Sequence, residues 1–156
     1  MTALEAFRRF QEFRRLGQFE RIAEVVDTEN YVENCVGFTG WTLGFDTALA
    51  NFEHGIRAIF SEMSSEEQDI IEDGRAVAIR LRTQATHTGK PFLGIVASGR
   101  RVTYEVIDMY RVGADGRINW RFLLCDWNGV RQQLLGEAPD LPSRPSRVAV
   151  QAITND

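Results

Sequence analysis

Two segments of alternating character, "RVTYEVIDMYRV" and "RINWRFLLCD", flank the short sequence "GADG" and constrain the fold more than any other part of the chain. Alternation predicts β-strands, because successive side chains of a strand point to opposite faces of a sheet. The glycines between the two segments predict a tight connection. With a turn at residues 113–116, Val112 would pair with Arg117 and Asp108 with Arg121. The sequence therefore predicts a long antiparallel hairpin.

The two faces of this hairpin should differ in polarity. The more apolar face carries Ile107, Met109, Ile118, Trp120, Phe122 and Leu124. The other face carries Tyr104, Val106, Asp108, Tyr110, Asn119, Arg121, Leu123 and Cys125. A sheet face as apolar as the first must be covered by helices or by another subunit. The second face mixes charged with aromatic and aliphatic side chains, which favours the wall of a pocket over a solvated surface.

Helical segments lie before and after the predicted strands. Apolar residues recur every three positions from Leu4 to Leu16, and Gly17 predicts the end of this amphipathic helix. A short helix should follow at residues 19–26. A third helix should start at Asp46, its candidate N-cap, and continue through "TALANFEHGIRAIF". The segment "NGVRQQLLG" predicts a final helix.

The remaining segments complete an α+β domain. "NYVENCV" predicts a strand, while "EEQDIIEDG" and "RAVAIRLRTQAT" predict a second hairpin that turns at Asp73-Gly74. Helices gathered on one face of a curved antiparallel sheet would leave a pocket between the two layers. We expect this domain to occupy residues 1–138. The tail at residues 139–156 holds three of the four prolines and should be irregular.

Composition limits the partners of the protein. The chain has 156 residues, a formal net charge of -4 and no apolar run long enough to cross a membrane. A net negative charge argues against nucleic-acid binding, because phosphate contacts need a basic surface. Cys35 and Cys125 lack the spacing of metal ligands and should be free thiols. We therefore expect a cytoplasmic protein with no nucleic-acid, membrane or metal partner.

Three segments resemble a known family. "THTGKPFLGIVASGRRVTYEVIDMYRV", "DGRI" and "DWNGVRQQLLG", within residues 86–136, are similar to the SnoaL-like polyketide cyclases of the nuclear transport factor 2-like superfamily. The resemblance implies a cone-shaped α+β fold, a pocket under the N-terminal helices, and chemistry that needs no cofactor. It also implies a homodimer through the outer sheet face, which would cover Met109, Trp120 and Phe122.

The resemblance also points to particular positions. In aldol cyclases of the family, a histidine on the penultimate strand and an aspartate on the last strand transfer protons, and these positions correspond to Asp108 and Leu123 here. Relatives that resemble limonene-epoxide hydrolase use an Asp-Arg-Asp set. Arg80 matches the arginine of that set, whereas Arg82 and Leu123 replace its aspartates. Because a leucine cannot move a proton, neither mechanism carries over whole.

Asp108 is therefore the predicted proton-transfer group. If the polar row of the strand at residues 75–86 joins the Asp108 face, then Arg80, Arg82 and Arg121 share its concavity. Arg80 and Arg121 would stabilise negative charge that develops on a substrate oxygen. The alternatives are an ion pair that only satisfies itself and a solvated polar face.

His87, in "THTG", is a further catalytic candidate because an unperturbed imidazole titrates near neutral pH. A hydrogen bond to the local backbone is the alternative role for this side chain. The candidate substrate-binding residues are Tyr31, Asn34, Trp41, Phe45, Arg82, Tyr104, Leu123 and Cys125.

These features predict a cyclase or isomerase that acts by acid–base catalysis on a hydrophobic, oxygenated small molecule such as a polyketide or terpenoid. The alternatives are an epoxide-hydrolase-like enzyme and a noncatalytic small-molecule-binding protein of the same fold.

Overall fold

The computed structural model describes residues 1–137. The predicted domain boundary at residue 138 and the predicted tail at residues 139–156 lie outside the described residues. The described part is an α+β fold, as the sequence predicts, with helices packed on one face of a curved sheet.

The first helix forms where the apolar periodicity predicts it. Helix α1 (Ala3–Leu16) buries Phe7, Phe10 and Phe13, and Gly17 ends it in the left-handed conformation, with φ of 71°. A 3₁₀ helix (Phe19–Glu24) replaces the longer second helix that the sequence predicts. Both segments pack against the sheet.

The third predicted helix is a composite. It consists of α2 (Phe45–Asn51), a π-helical turn (Phe52–Ile56) and α3 (Arg57–Ile59). The last helix is α4 (Trp127–Leu135), and the Asp126 side chain caps it by accepting a hydrogen bond from the Gly129 backbone N–H at 2.9 Å.

Within residues 1–137, six strands form one sheet in the order β2-β1-β6-β5-β4-β3. Their bounds are β1 (Val32–Val36), β2 (Gly40–Leu43), β3 (Phe60–Glu72), β4 (Ala76–His87), β5 (Arg101–Val112) and β6 (Ile118–Cys125). Neighbouring strands are antiparallel except β1 and β6, which are parallel, so the sheet is mixed. The predicted hairpin at Asp73-Gly74 joins β3 to β4.

The register of β5 against β6 differs from the predicted register by two residues. Asp108 lies opposite Leu123, rather than opposite Arg121, and Tyr110 lies opposite Arg121. A shift of two keeps every side chain on its predicted face, because the side-chain period of a strand is two. A β-bulge next to Val112 then makes one exception, because it turns Ile118 inward, where the sequence predicts it outward.

The inner face of the sheet is covered in two regions. In the first, α1 and the 3₁₀ helix bury Ile79, Tyr110, Val112 and Ile118. In the second, α4 and Phe92, which lies in the connection between β4 and β5, bury Val102, Tyr104 and Val106. Leu81 packs against both clusters. Burial of this apolar surface stabilises the layered fold and places one cavity beside both clusters.

Candidate active site

A cavity of about 580 Å³ lies between the helices and the inner sheet face. This volume falls within the range of roughly 300 to 1,000 Å³ that is typical of small-molecule sites. Its apolar lining includes Phe7, Phe38, Phe52, Ile56, Leu81, Tyr104, Val106, Leu123, Cys125 and Trp127. The polar lining includes a hydrogen-bonded group of two carboxylates and one guanidinium that come from three different strands.

Asp108 and Arg121 form the centre of the polar group. Arg121 donates from Nε and Nη2 to the two carboxylate oxygens of Asp108, each at 2.8 Å. The Tyr110 hydroxyl donates a third hydrogen bond to Asp108, also at 2.8 Å. Asp108 is 3% exposed, so this bidentate pair is a buried ion pair in which each carboxylate oxygen accepts at least one hydrogen bond.

Glu33 is a second carboxylate in the same cavity, on β1. Its Oε2 accepts hydrogen bonds from the Tyr31 hydroxyl at 3.2 Å and from Arg121 Nη1 at 3.4 Å. Its Oε1 accepts no hydrogen bond from residues 1–137. Glu33 is 6% exposed and lines the cavity, so its Oε1 is available to accept a hydrogen bond from a ligand.

Burial controls the charges of this group. Burial opposes the charge on Arg121, but attraction by Asp108, Tyr110 and Tyr31, together with the hydrogen bonds to Asp108, outweighs this effect and raises the pKa of Arg121 well above its ordinary value. Burial also raises the pKa of Tyr31 and of Tyr110. The arginine therefore stays cationic, and both hydroxyls stay protonated as donors to the carboxylates.

Arg121 keeps donor capacity for a ligand. A guanidinium has five N–H donors, of which two bind Asp108 and one reaches Glu33. The side chain is 19% exposed and lines the cavity. Arg121 can thus stabilise negative charge on a bound oxygen while it holds both carboxylates in place.

Several predicted residues lie at the cavity. Asp108, Arg121, Tyr104, Leu123 and Cys125 line it. Burial raises the pKa of the Tyr104 hydroxyl and of the Cys125 thiol, so both are neutral wall groups. Tyr31 is buried behind the wall and acts on the cavity through its hydrogen bond to Glu33.

The predicted placement of Arg80 and Arg82 in the cavity is wrong. Both side chains lie on the outer sheet face, where Arg80 binds Asp69 and Glu105, and Arg82 binds Glu105. The apolar row of β4, rather than its polar row, faces inward, since Arg80 pairs with Ile107 while Ile79 pairs with Asp108. The polar row of β4 therefore belongs to a solvated polar face, which is the alternative interpretation of this row from the sequence.

Asn34 and Trp41 also lie on the outer face, against the prediction. They pair with each other between β1 and β2, and Asn34 pairs with Phe122 of β6. Trp41 is 64% exposed. Glu33, the neighbour of Asn34 in the strand, is the residue that faces the cavity.

His87 and Phe45 are buried next to the cavity without lining it. His87 Nε2 lies 2.9 Å from the Lys90 carbonyl oxygen, and the ring packs against Phe60. His87 therefore has the alternative role that the sequence allows, a hydrogen bond to the local backbone. Phe45 packs edge-on against Phe10 and Tyr31 and belongs to the core.

Sequence reasoning missed Glu33 although the sequence contains the signal for it. In "NYVENCV", Glu33 shares the strand face of Tyr31 and Cys35, both of which are buried. A carboxylate in phase with two buried residues marks an inward position. Asn34 lies three positions after Tyr31, so in one strand their side chains point to opposite faces and cannot both line the same cavity.

Among residues 1–137, no group of three or more potential ligand side chains is arranged to hold a metal ion. No helix in this part of the chain is both long and apolar enough to span a membrane.

Comparisons with known proteins place the chain among related folds. A family model described as SnoaL-like polyketide cyclase matches residues 4–134. IdmH from Streptomyces antibioticus, named as a candidate polyketide cyclase, is 25% identical, with a TM-score of 0.65 over 85% of this chain and 96% of its own. AclR from Streptomyces galilaeus, named as a candidate hydroxylase, is 22% identical, with a TM-score of 0.59 over 84% of this chain and 79% of its own.

A candidate polyketide cyclase from Acidithiobacillus ferrooxidans is 21% identical, with a TM-score of 0.66 over 86% of this chain and 94% of its own. A search of curated proteins finds no significant match. At these identities, the solved structures establish the fold.

Proposed function

Because the chain belongs to the SnoaL-like polyketide cyclase family, we propose that it is an enzyme that cyclises or isomerises a hydrophobic, oxygen-bearing small molecule by acid–base catalysis, without a cofactor. The observation that carries this proposal is the pair of carboxylates, Glu33 and Asp108, that share Arg121 inside an apolar cavity. Titratable groups gathered in a cavity of this size are typical of active sites.

In this proposal Glu33 is the general base. Its Oε1 accepts a proton from a carbon next to a substrate carbonyl, and the electrons of the broken C–H bond pass to the carbonyl oxygen. The N–H groups of Arg121 stabilise the resulting enolate. The enolate carbon then forms a bond to a second carbonyl carbon, and the new alkoxide takes the proton back from Glu33. The product has the same mass as the substrate.

Asp108 acts here as a positioning residue. Both of its oxygens accept hydrogen bonds from Arg121, and the Tyr110 hydroxyl donates a third, so three partners hold this carboxylate in place, whereas Glu33 Oε1 accepts no hydrogen bond from residues 1–137. Its function is to fix the plane of the guanidinium against the substrate oxygen. This reassigns the proton transfer that the sequence attributes to Asp108.

Replacement of Glu33 by glutamine tests the proposal. Glutamine keeps the shape but cannot accept the proton, so turnover of an open-chain polyketide ketone should fall by about 100-fold or more. Chromatography coupled to mass spectrometry would follow the isomeric product. Glu20→Gln, which removes an exposed carboxylate from the 3₁₀ helix, is the matched control and should turn over like the wild type. Unchanged turnover in Glu33→Gln would overturn the assignment.

The carboxylate–arginine–carboxylate set also favours a second candidate, epoxide hydration. The epoxide-hydrolase-like relatives use a comparable set, and Glu33 could accept a proton from an attacking water. The doubly engaged Asp108 is a poor proton donor to an epoxide, which places this candidate second. The same assay separates the reactions, because hydration adds the mass of one water.

A ligand recovered unchanged would favour the noncatalytic binder, for which Leu123 opposite Asp108 is the supporting feature.

We further propose that the protein is a cytoplasmic homodimer joined through the outer sheet face. On this face Trp120 and Phe122 stack with ring centroids 6.2 Å apart. Leu124 beside them is 44% exposed, and Trp41 and Leu43 on the same side of the sheet are 64% and 74% exposed. A second copy that covers this face would remove a contiguous apolar surface from water.

A further inference from the structure

Arg14 is a cation of the cavity that the proposed chemistry does not use. It lies on α1, in the last turn, and its side chain lines the same cavity as Glu33 and Arg121. Its guanidinium carbon lies 5.0 Å from the centroid of the Phe52 ring and 5.5 Å from that of Phe10. Contact with two aromatic rings holds the guanidinium in place and leaves its N–H groups available, because a ring is not a conventional acceptor.

The carboxylates around the cavity are already paired with other residues. Glu53 pairs with Arg57 at 3.7 Å, Glu67 pairs with Arg8, and Glu62 accepts a hydrogen bond from the Thr86 hydroxyl at 2.8 Å. Glu33 and Asp108 are bound to Arg121. Within residues 1–137, the guanidinium of Arg14 makes no hydrogen bond and no ion pair; the hydrogen bonds of this residue are those of its backbone.

A partly buried guanidinium without a counter-charge is unfavourable. Burial is the largest cause that lowers the pKa of Arg14, and Arg121 lowers it further; the opposing contributions of Tyr110, Glu53 and Asp108 offset this only in part. A ligand anion that replaced the lost water contacts would relieve this penalty and form charge-assisted hydrogen bonds. A neutral ligand that filled the cavity would instead bury the guanidinium further without a partner.

We propose that Arg14 binds an anionic group of the substrate, and that the substrate is therefore an organic acid that also has the reacting carbonyl, rather than a wholly neutral molecule. The inference rests on the proposed function in that it assigns the ligand of the same cavity. Glu33 and Asp108 together outnumber Arg121 in charge, so they repel an anion and direct it towards Arg14. The acid group thus orients the substrate with its reacting carbon near Glu33.

Two fluorescent probes that share one skeleton test this assignment. Anilinonaphthalene sulfonate carries one negative charge, whereas phenyl-naphthylamine is the same aromatic skeleton without it. In Arg14→Gln the sulfonate should bind roughly 10-fold more weakly or worse, because a hydrogen-bonded charge partner is lost. The neutral probe should bind about as it does to the wild type. Arg14→Lys, which retains the charge, should recover part of the sulfonate affinity.

Arg131→Gln is the matched control, because Arg131 is an exposed arginine on α4 outside the cavity. It should bind both probes as the wild type does. The proposal is overturned if Arg14→Gln binds the sulfonate normally, if it loses both probes equally, or if Arg131→Gln has the same effect. Neither probe is turned over, so this result is independent of the Glu33→Gln assay, and each hypothesis can fail alone.

Discussion

The three tyrosines of the chain, Tyr31, Tyr104 and Tyr110, are all buried, and two of them donate hydrogen bonds to the carboxylates of the cavity. Burial raises the pKa of each hydroxyl. A phenolate beside Glu33 or Asp108 would also be repelled. The residues of the site are thus arranged so that the proton stays on each tyrosine.

This arrangement predicts how stability depends on alkaline pH. In the unfolded chain a tyrosine loses its proton at about pH 10, whereas each folded tyrosine has a higher pKa. The stability that these groups contribute is fully present below about pH 10 and is lost as the pH rises further. Tyrosinate absorbance should therefore appear together with the loss of circular dichroism. Tyrosinate that forms near pH 10 in a protein with intact secondary structure would contradict this prediction.

Single residues also show how far the sequence could define the site. Asp108, Arg121, Tyr104, Leu123 and Cys125 could be assigned to one wall because alternation along a strand survives an error in register. The contribution of Glu33 depends on the parallel pairing of β1 with β6, which joins residues about 90 positions apart. No local pattern specifies such a pairing. Arg14 likewise becomes a candidate only when its lack of a partner is visible.

At the scale of elements, the outcome for β4 has a simple physical reason. Its alternation separates an apolar row from a polar row, and the apolar row must be the covered one because its burial drives packing. The arginines of the polar row form ion pairs with Asp69 and Glu105, which lie at neighbouring positions of the outer sheet face. The helices and hairpins could be predicted from local signals such as Gly17 and Asp73-Gly74. The face that each strand turns to the cavity depends instead on the strands and helices that pack against it.

The outer face of β5 and β6 gives a prediction about assembly. Phe122→Glu places a charge in the middle of the proposed interface, where burial of an unpaired carboxylate is strongly unfavourable. We expect the wild type to be a dimer and this variant to be a monomer in light scattering at micromolar concentration. Leu135→Glu, which changes a leucine of α4 that is 40% exposed, is the control and should remain a dimer. A monomeric wild type would contradict the proposed interface.

At the scale of the whole molecule, the fold keeps a large space between its layers. Ile79, Asp108 and Leu123 lie side by side on β4, β5 and β6. Ile79 is 0% exposed in the packed core under α1, whereas Leu123, at the other end of this row, lines the cavity. One row of the sheet therefore passes from a filled region to a hollow one.

The two isomeric residues at the ends of this row allow a matched test of the hollow. Ile79→Phe adds a ring where there is no space and should lower the free energy of unfolding by about 1 to 3 kcal/mol. Leu123→Phe adds the same ring to the cavity, where it gains apolar contacts without displacing a neighbour, and it should unfold at the same or a higher urea concentration than the wild type. Equal losses in both variants would mean that the cavity is closed in solution. A loss of stability in Ile79→Phe alone, measured by urea denaturation, would show that the space beside Leu123 is unfilled in solution, as a site for a ligand requires.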